Sequence, residues 1–218
     1  MYEYNQRMLR EADPLVFTGE NLVPHLQQVE DKGATLVRGF LTDVSVDRLQ
    51  AFCSTLPFKP LHVRRGTVTK KFEYADYDKV HQRALAELGE GVWQRLVQHE
   101  GDFPAVSNWV PNDYAVQKYN RDGFVSSHKD APDYSGLVVV CSVQGEADFE
   151  VRNERHGESV YMWALAPGDA VILRAAGFSG NPERQDGPFH LVGGAKTEIP
   201  RISIGIAEDP LVYRGLEK

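Results

Sequence analysis

The hydrophobic rhythm of the chain changes near residue 110. Before that point apolar residues recur at helical spacing. Leu22, Leu26 and Val29 do so within 20–31, Val46, Leu49, Phe52, Cys53 and Leu56 within 45–56, and Val92, Trp93, Leu96 and Val97 within 91–99. A more polar helical stretch covers 80–88, and Gly89 and Gly91 are expected to break it from the next one. Strand candidates at 34–40 and 61–74 lie between the helices. After residue 110 the pattern is that of short strands: 113–119, 124–127, 137–143, 147–152, 158–165, 169–174, 188–193 and 201–206. Turn formers separate them, among them Arg121-Asp122-Gly123, Pro132-Asp133, Pro167-Gly168-Asp169 and Gly180-Asn181-Pro182. Strands at this spacing predict a sandwich or barrel. The expectation is one mainly-β domain of the α+β kind over 1–218. It has an α-rich part, 1–110, packed on a β core, 111–210, with no linker between them.

Composition narrows the function. Of 218 residues, 42% are hydrophobic and 25% charged, ordinary values for a soluble globular chain. The formal net charge is −7, which disfavours a protein that coats DNA or RNA. Cys53 and Cys141, the only two cysteines, read as reduced thiols of an intracellular protein. No apolar run approaches the ~18 residues of a membrane span. Met1-Tyr2-Glu3-Tyr4-Asn5 lacks the basic and apolar start of a signal peptide, so a cytoplasmic location is expected.

Three positions carry candidate chemistry. In His128-Lys129-Asp130, residues two apart on a strand point to one side, so an imidazole and a carboxylate can converge on one metal ion. Taken alone, this is a weak signal, and the end of a surface strand is the plainer reading. His190, in a later strand candidate, supplies a third ligand. Two histidines and one carboxylate form the facial triad that leaves coordination positions open on non-haem Fe(II). Eleven residues on, Arg201 and Ser203 share one face of a strand whose other positions are apolar: Ile199, Ile202, Ile204 and Ile206. An isolated arginine of this kind commonly faces water at a sheet edge. One pointing into a β core needs an anionic partner, and a bound carboxylate fits. His25, His62, His81, His99 and His156 read as surface histidines.

The order H-x-D, distal His, R-x-S resembles that of the Fe(II)/2-oxoglutarate-dependent oxygenases, and the chain is more particularly similar to their AlkB-like branch. The likeness runs through Trp109-Val110-Pro111-Asn112, Val116-Gln117-Lys118-Tyr119, the stretch 142–151 and Leu165-Ala166-Pro167-Gly168-Asp169-Ala170-Val171. Val37-Arg38-Gly39-Phe40-Leu41 followed by a helix is similar as well, so roughly 34–210 is covered. The resemblance implies a double-stranded β-helix, or jelly-roll, core with N-terminal helices against it. It implies iron bound by His128, Asp130 and His190, with 2-oxoglutarate and O2 as co-substrates. Arg201 would pair with the distal carboxylate of 2-oxoglutarate, beside Ser203 and the Tyr119 hydroxyl. The implied reaction is oxidation of a substrate C–H bond, most simply hydroxylation, with release of succinate and CO2.

The departures bear on the substrate. Repair enzymes of that branch carry a second arginine six residues after the first, where this chain has Ala207, and asparagines where it has Gln117 and Ser203. Asp130 disfavours halogenation, which needs a small residue at that position. Residues 62–71 are strongly basic and are followed by Phe72, Tyr74 and Tyr77. In the AlkB-like layout 61–77 would be a lid over the substrate, with Arg64, Arg65, Phe72 and Tyr74 as contacts. A solvated hairpin face is the plainer reading of the same residues. Gln117 and Arg174 are further pocket candidates. The expected substrate is a small molecule. The alternatives are an AlkB-like nucleic-acid demethylase and, in another class, a catalytically silent jelly-roll protein that binds a small acid.

Overall fold

The computed structural model describes residues 15–75, 79–178 and 187–213. The chain start, Tyr77 and the expected turn at Gly180-Asn181-Pro182 lie outside them. Among the described residues, helix α1 (Val23–Lys32) leads into strand β1 (Ala34–Val37), and α2 (Asp43–Ser54) into β2 (Phe58–Arg65) and β3 (Val68–Ala75). Helix α3 (Lys79–Val97) and a 3-10 turn at Pro104–Val106 precede β4 (Asp113–Tyr119), β5 (Phe124–His128), β6 (Ser135–Gln144) and β7 (Ala147–Arg152). Then come β8 (Ser159–Leu165), β9 (Ala170–Arg174), β10 (Phe189–Ala195), β11 (Arg201–Glu208) and a short helix α4 (Pro210–Tyr213). No helix among them is long and apolar enough to cross a membrane.

The strands form one sheet in the order β1-β9-β6-β11-β4-β3-β5-β10-β7-β8, with β2 paired to β3. Its pairings within named strands are antiparallel, and the sheet curls into a nearly closed barrel, the jelly roll. The bend falls at β3. Glu73 and Tyr74 pair with Lys118 and Gln117 of β4, while Lys70 and Lys71 pair with Val125 and Phe124 of β5. The N-terminal part therefore does more than pack on the β core, because it supplies the strand that joins the two halves.

Period-two alternation separates two apolar cores. On β11, Ile202, Ile204 and Ile206 face outward to the helices, and Arg201, Ser203 and Ala207 face the barrel interior. On β6, Leu137, Val139, Cys141 and Val143 face the helices, and Val138 and Val140 the interior. Leu26 and Val29 of α1, Leu49 and Phe52 of α2, and Leu85, Leu88 and Val92 of α3 complete the outer core. Thr42 caps α2, its hydroxyl accepting from the Ser45 N–H. Burial pushes the Cys53 and Cys141 thiols up to about 12, which keeps both protonated and unreactive.

The expected break at Gly89 and Gly91 does not occur, and α3 is continuous through both. A Cβ on Gly89 would lie 2.6 Å from the Tyr114 hydroxyl, and one on Gly91 2.5 Å from the Phe17 ring. These glycines let the helix approach its neighbours closely. The helix tolerates them because docking outweighs the ~1 kcal/mol propensity loss at each.

The Pro167-Gly168-Asp169 turn is a structural clamp. Asp169 is buried, and its carboxylate accepts from the N–H groups of Gly39 and Ala166, each at 3.0 Å. Arg38 Nη1 donates to the same carboxylate at 2.6 Å. The β1–α2 connection is thereby tied to the β8–β9 turn. We expect Asp169→Ala to lower unfolding free energy by about 2–3 kcal/mol, since two N–H groups lose their acceptor. Asp169→Asn should cost less. Urea denaturation midpoints measure both, and an unchanged midpoint in the alanine variant contradicts the clamp.

Candidate active site

The barrel interior encloses a cavity of about 560 Å³. One end is built from two adjacent cross-strand pairs of β4 and β11: Arg201 opposite Tyr119, and Ser203 opposite Gln117. All four side chains line the cavity because positions two apart on each strand share a face. The same two strands continue along the wall through Ala115 and Gly205 to Asp113 opposite Ala207. Small residues there leave the room that the cavity occupies.

His128 closes β5, His190 lies at the start of β10, and the two are cross-strand partners with ring centroids 4.3 Å apart. Asp130 follows β5, its Oδ1 3.7 Å from His190 Nε2. One ligand atom from each of the three residues lies within 4.8 Å of the others. This spacing matches three ligands meeting at one ion with bonds of ~2 Å. His128 Nδ1 lies 2.9 Å from the Ser126 carbonyl and His190 Nδ1 3.4 Å from that of Pro188. A proton on each Nδ1 donates to those carbonyls and leaves Nε2 a lone pair for a metal. Burial, reinforced at His128 by its neighbour His190, pushes both imidazoles down to about 4, so both are neutral at pH 7. Burial raises the Asp130 carboxyl, against the opposing pull of His128 and Lys70. Phe149 stacks on His190 at 5.4 Å and 7° and holds its plane; Trp163 in turn packs on Phe149 at 6.4 Å.

Arg201 is 1% exposed, yet none of its three guanidinium nitrogens has a hydrogen-bond partner among the described residues. Its carbon lies 5.0 Å from the Tyr119 ring centroid. The Tyr119 hydroxyl donates to Gln117 Oε1 at 2.7 Å, and burial pushes its pKa up to about 12 against the opposing pull of Arg201. A buried guanidinium with no ion pair among the described residues is costly by itself. A planar carboxylate satisfies it, so the residues present fit an acid ligand here and a metal at the His-Asp-His cluster.

The structure thus brings together on one cavity His128, Asp130, His190, Arg201, Ser203, Tyr119, Gln117 and, from the hairpin, Arg65. It places other candidates elsewhere. Phe72 is buried beside Tyr119, its ring 5.3 Å away, and packs in the interior core. Tyr74 is 39% exposed at the far end of β3, and Arg64 is exposed with Nε donating to Gly66 O at 3.3 Å. Arg174 points away from the cavity, donating to Glu30 O at 2.6 Å and toward Val29 O at 3.4 Å, where it meets the carbonyl end of α1. His156, read from the sequence as a surface histidine, is exposed in the β7–β8 turn.

Other cavity residues carry no motif. Lys70 and Lys129 line the wall, and so does Tyr134, whose hydroxyl donates to Asp113 Oδ2 at 2.6 Å. Burial and then Asp113 raise the Tyr134 pKa. The Lys70 and Phe149 positions follow from strand alternation once each strand's inward face is known. The Tyr134–Asp113 contact joins separate segments and leaves no local signal.

No protein-family model matches the sequence, and no curated protein matches it. Solved structures do match the fold. An oxidoreductase of the 2OG-Fe(II) oxygenase family from Burkholderia pseudomallei superposes with a TM-score of 0.61 at 16% identity, covering 88% of this chain and 92% of that one. The α-ketoglutarate-dependent non-haem carbocyclase SnoK of nogalamycin biosynthesis gives 0.60 at 9% identity, covering 94% of each chain. OsALKBH1 gives 0.50 at 16% identity, covering 81% of this chain and 98% of that one. At these identities the likeness speaks for architecture: this chain adopts the jelly-roll fold of the 2-oxoglutarate- and Fe(II)-dependent oxygenases.

Proposed function

We propose that the chain is an Fe(II)- and 2-oxoglutarate-dependent oxygenase that hydroxylates a C–H bond of a small molecule, with release of succinate and CO2. The observation that carries the reading is the buried, unpartnered Arg201 guanidinium on the same cavity as His128, Asp130 and His190. His128, Asp130 and His190 hold iron and leave positions open for co-substrates. Arg201 holds the distal carboxylate of 2-oxoglutarate in a two-pronged contact, with the Ser203 and Tyr119 hydroxyls beside it. Phe149 keeps the His190 ring in plane, and Val125 and Val192 add apolar wall to the cavity. When bound, iron with 2-oxoglutarate and O2 supplies the oxidising power for a strong C–H bond.

The acidic chain and Ala207 disfavour the nucleic-acid demethylase, which needs several phosphate contacts. The intact triad disfavours a silent acid binder. Purified protein given Fe(II) and 2-oxoglutarate should release succinate when the right member of a metabolite library is added. Turnover of methylated oligonucleotides in preference to all metabolites reverses the choice of substrate class.

Two sets of variants test the residue roles. His128→Ala, Asp130→Ala and His190→Ala should each lose stoichiometric Fe(II), read as bound metal, while keeping the wild-type circular dichroism. Arg201→Met should weaken 2-oxoglutarate binding about 30-fold or more, and Tyr119→Phe only about fivefold, because a charged pair is worth more than one neutral hydrogen bond. Arg201→Met should at the same time stabilise the ligand-free protein, by about 1–4 kcal/mol, since it removes a buried charge with no partner. A variant that is destabilised and still binds 2-oxoglutarate normally makes Arg201 a structural residue.

A further inference from the structure

Lys70 sits on β3 and reaches the cavity wall. Its neighbour Lys71, on the outer face, is paired with Asp122, and Lys118 of β4 with Glu73 at 2.9 Å. Lys70 has neither a hydrogen bond nor an ion pair among the described residues. Its positive charge acts on His128, Asp130 and His190, whereas Tyr119 and Arg201 are acted on by each other. In register, Lys70 pairs with Val125 of β5, the strand that His128 closes. Arg65, at the tip of the same hairpin, lines the cavity too.

Charge balance says what Lys70 lacks. In the loaded site the two charges of Fe(II) and the one of Arg201 are matched by Asp130 and the two carboxylates of 2-oxoglutarate. Lys70 is left over. Asp113, on the opposite wall, takes its hydrogen bond from Tyr134 and makes no ion pair with Lys70. A half-buried ammonium beside a metal site, with an excess positive charge around it, favours a further anion.

We infer that the primary substrate carries a carboxylate or phosphate, and that Lys70 holds this anion against the metal triad, with Arg65 at the entrance. The inference rests on the oxygenase reading above. It makes Lys70 a specificity-determining residue. An amide, ester or alcohol in place of the anion leaves the ammonium unpaired and is rejected.

The test compares wild type, Lys70→Met and Lys70→Arg in three measurements. Inorganic phosphate and acetate are titrated into protein loaded with Mn(II) and 2-oxoglutarate, so that Arg201 is occupied, with binding followed by calorimetry. Lys70→Met should bind both about tenfold more weakly or worse, and Lys70→Arg should recover most of the loss. Binding of 2-oxoglutarate to the Mn(II)-loaded protein should change by less than about twofold in Lys70→Met. Succinate release is then screened over matched pairs, acid against amide and phosphate monoester against alcohol. The responders should be the anions, preferred about tenfold or more, and Lys70→Met should erase the preference. Equal phosphate and acetate affinity in wild type and Lys70→Met overturns the inference alone, as does a neutral best responder. A loss of 2-oxoglutarate binding as large as that of Arg201→Met also overturns it, by assigning Lys70 to the co-substrate. A wild-type protein that takes up neither Fe(II) nor 2-oxoglutarate overturns the oxygenase reading, and the substrate assignment falls with it.

Discussion

Strand β11 must satisfy two environments at once. It is hydrogen-bonded along its length to β4 on one side and β6 on the other, so it cannot slide without breaking both ladders. Ile202, Ile204 and Ile206 fix its outer face against the helical layer. That register delivers Arg201 and Ser203 to the interior, because a slip by one residue would exchange every side chain between the two faces. The apolar grip of three isoleucines is what allows a guanidinium to remain in a place where nothing in the described chain bonds it. Stability on one face supports an unfavourable charge on the other, as expected of a binding site.

The same logic explains what the sequence makes legible. The strands 113–119 and 147–152 are recovered to the residue, because turn formers bound them and their apolar alternation is clear. His128, Asp130, His190, Arg201 and Ser203 stand out because each chemical group sits at strand spacing from a partner or inside an apolar run. The continuity of α3 is not legible. Gly89 and Gly91 read locally as breakers, and only the Tyr114 and Phe17 side chains against them explain their presence. Arg174 misleads in the opposite way. It ends an interior strand near the site, yet its guanidinium finds the carbonyl end of α1. The Asp113–Tyr134 contact lies between these cases, since both residues flank strands that are themselves recognisable.

The aromatic residues beside the triad have a mechanical role that composition hides. Phe149 lies almost parallel to His190, Trp163 packs on Phe149, and Tyr161 stacks on Trp163 at 5.1 Å. The series runs from a metal-ligand candidate through β7 to the half-buried face of edge strand β8. It fills the width of the sheet with rigid rings, which have few rotamers to lose. His190 is therefore oriented from behind by packing and from its Nδ1 side by a backbone carbonyl.

The pairing of β3 has a consequence for how molecules enter. A hinged flap needs one free edge about which to swing. β3 has none along its base, since Lys70 and Lys71 are bonded into β5 and Glu73 and Tyr74 into β4. Lys70 and Lys71 are thus part of the barrel wall, while Arg64 and Arg65 lie on β2, which among the described strands pairs only with β3. That bonding does not reach the tip, where Gly66 takes a φ of 57° between Arg65 and Val68, or the outer edge of β2. The base of the hairpin is then a fixed frame, and whatever movement admits a molecule falls on β2 and the turn.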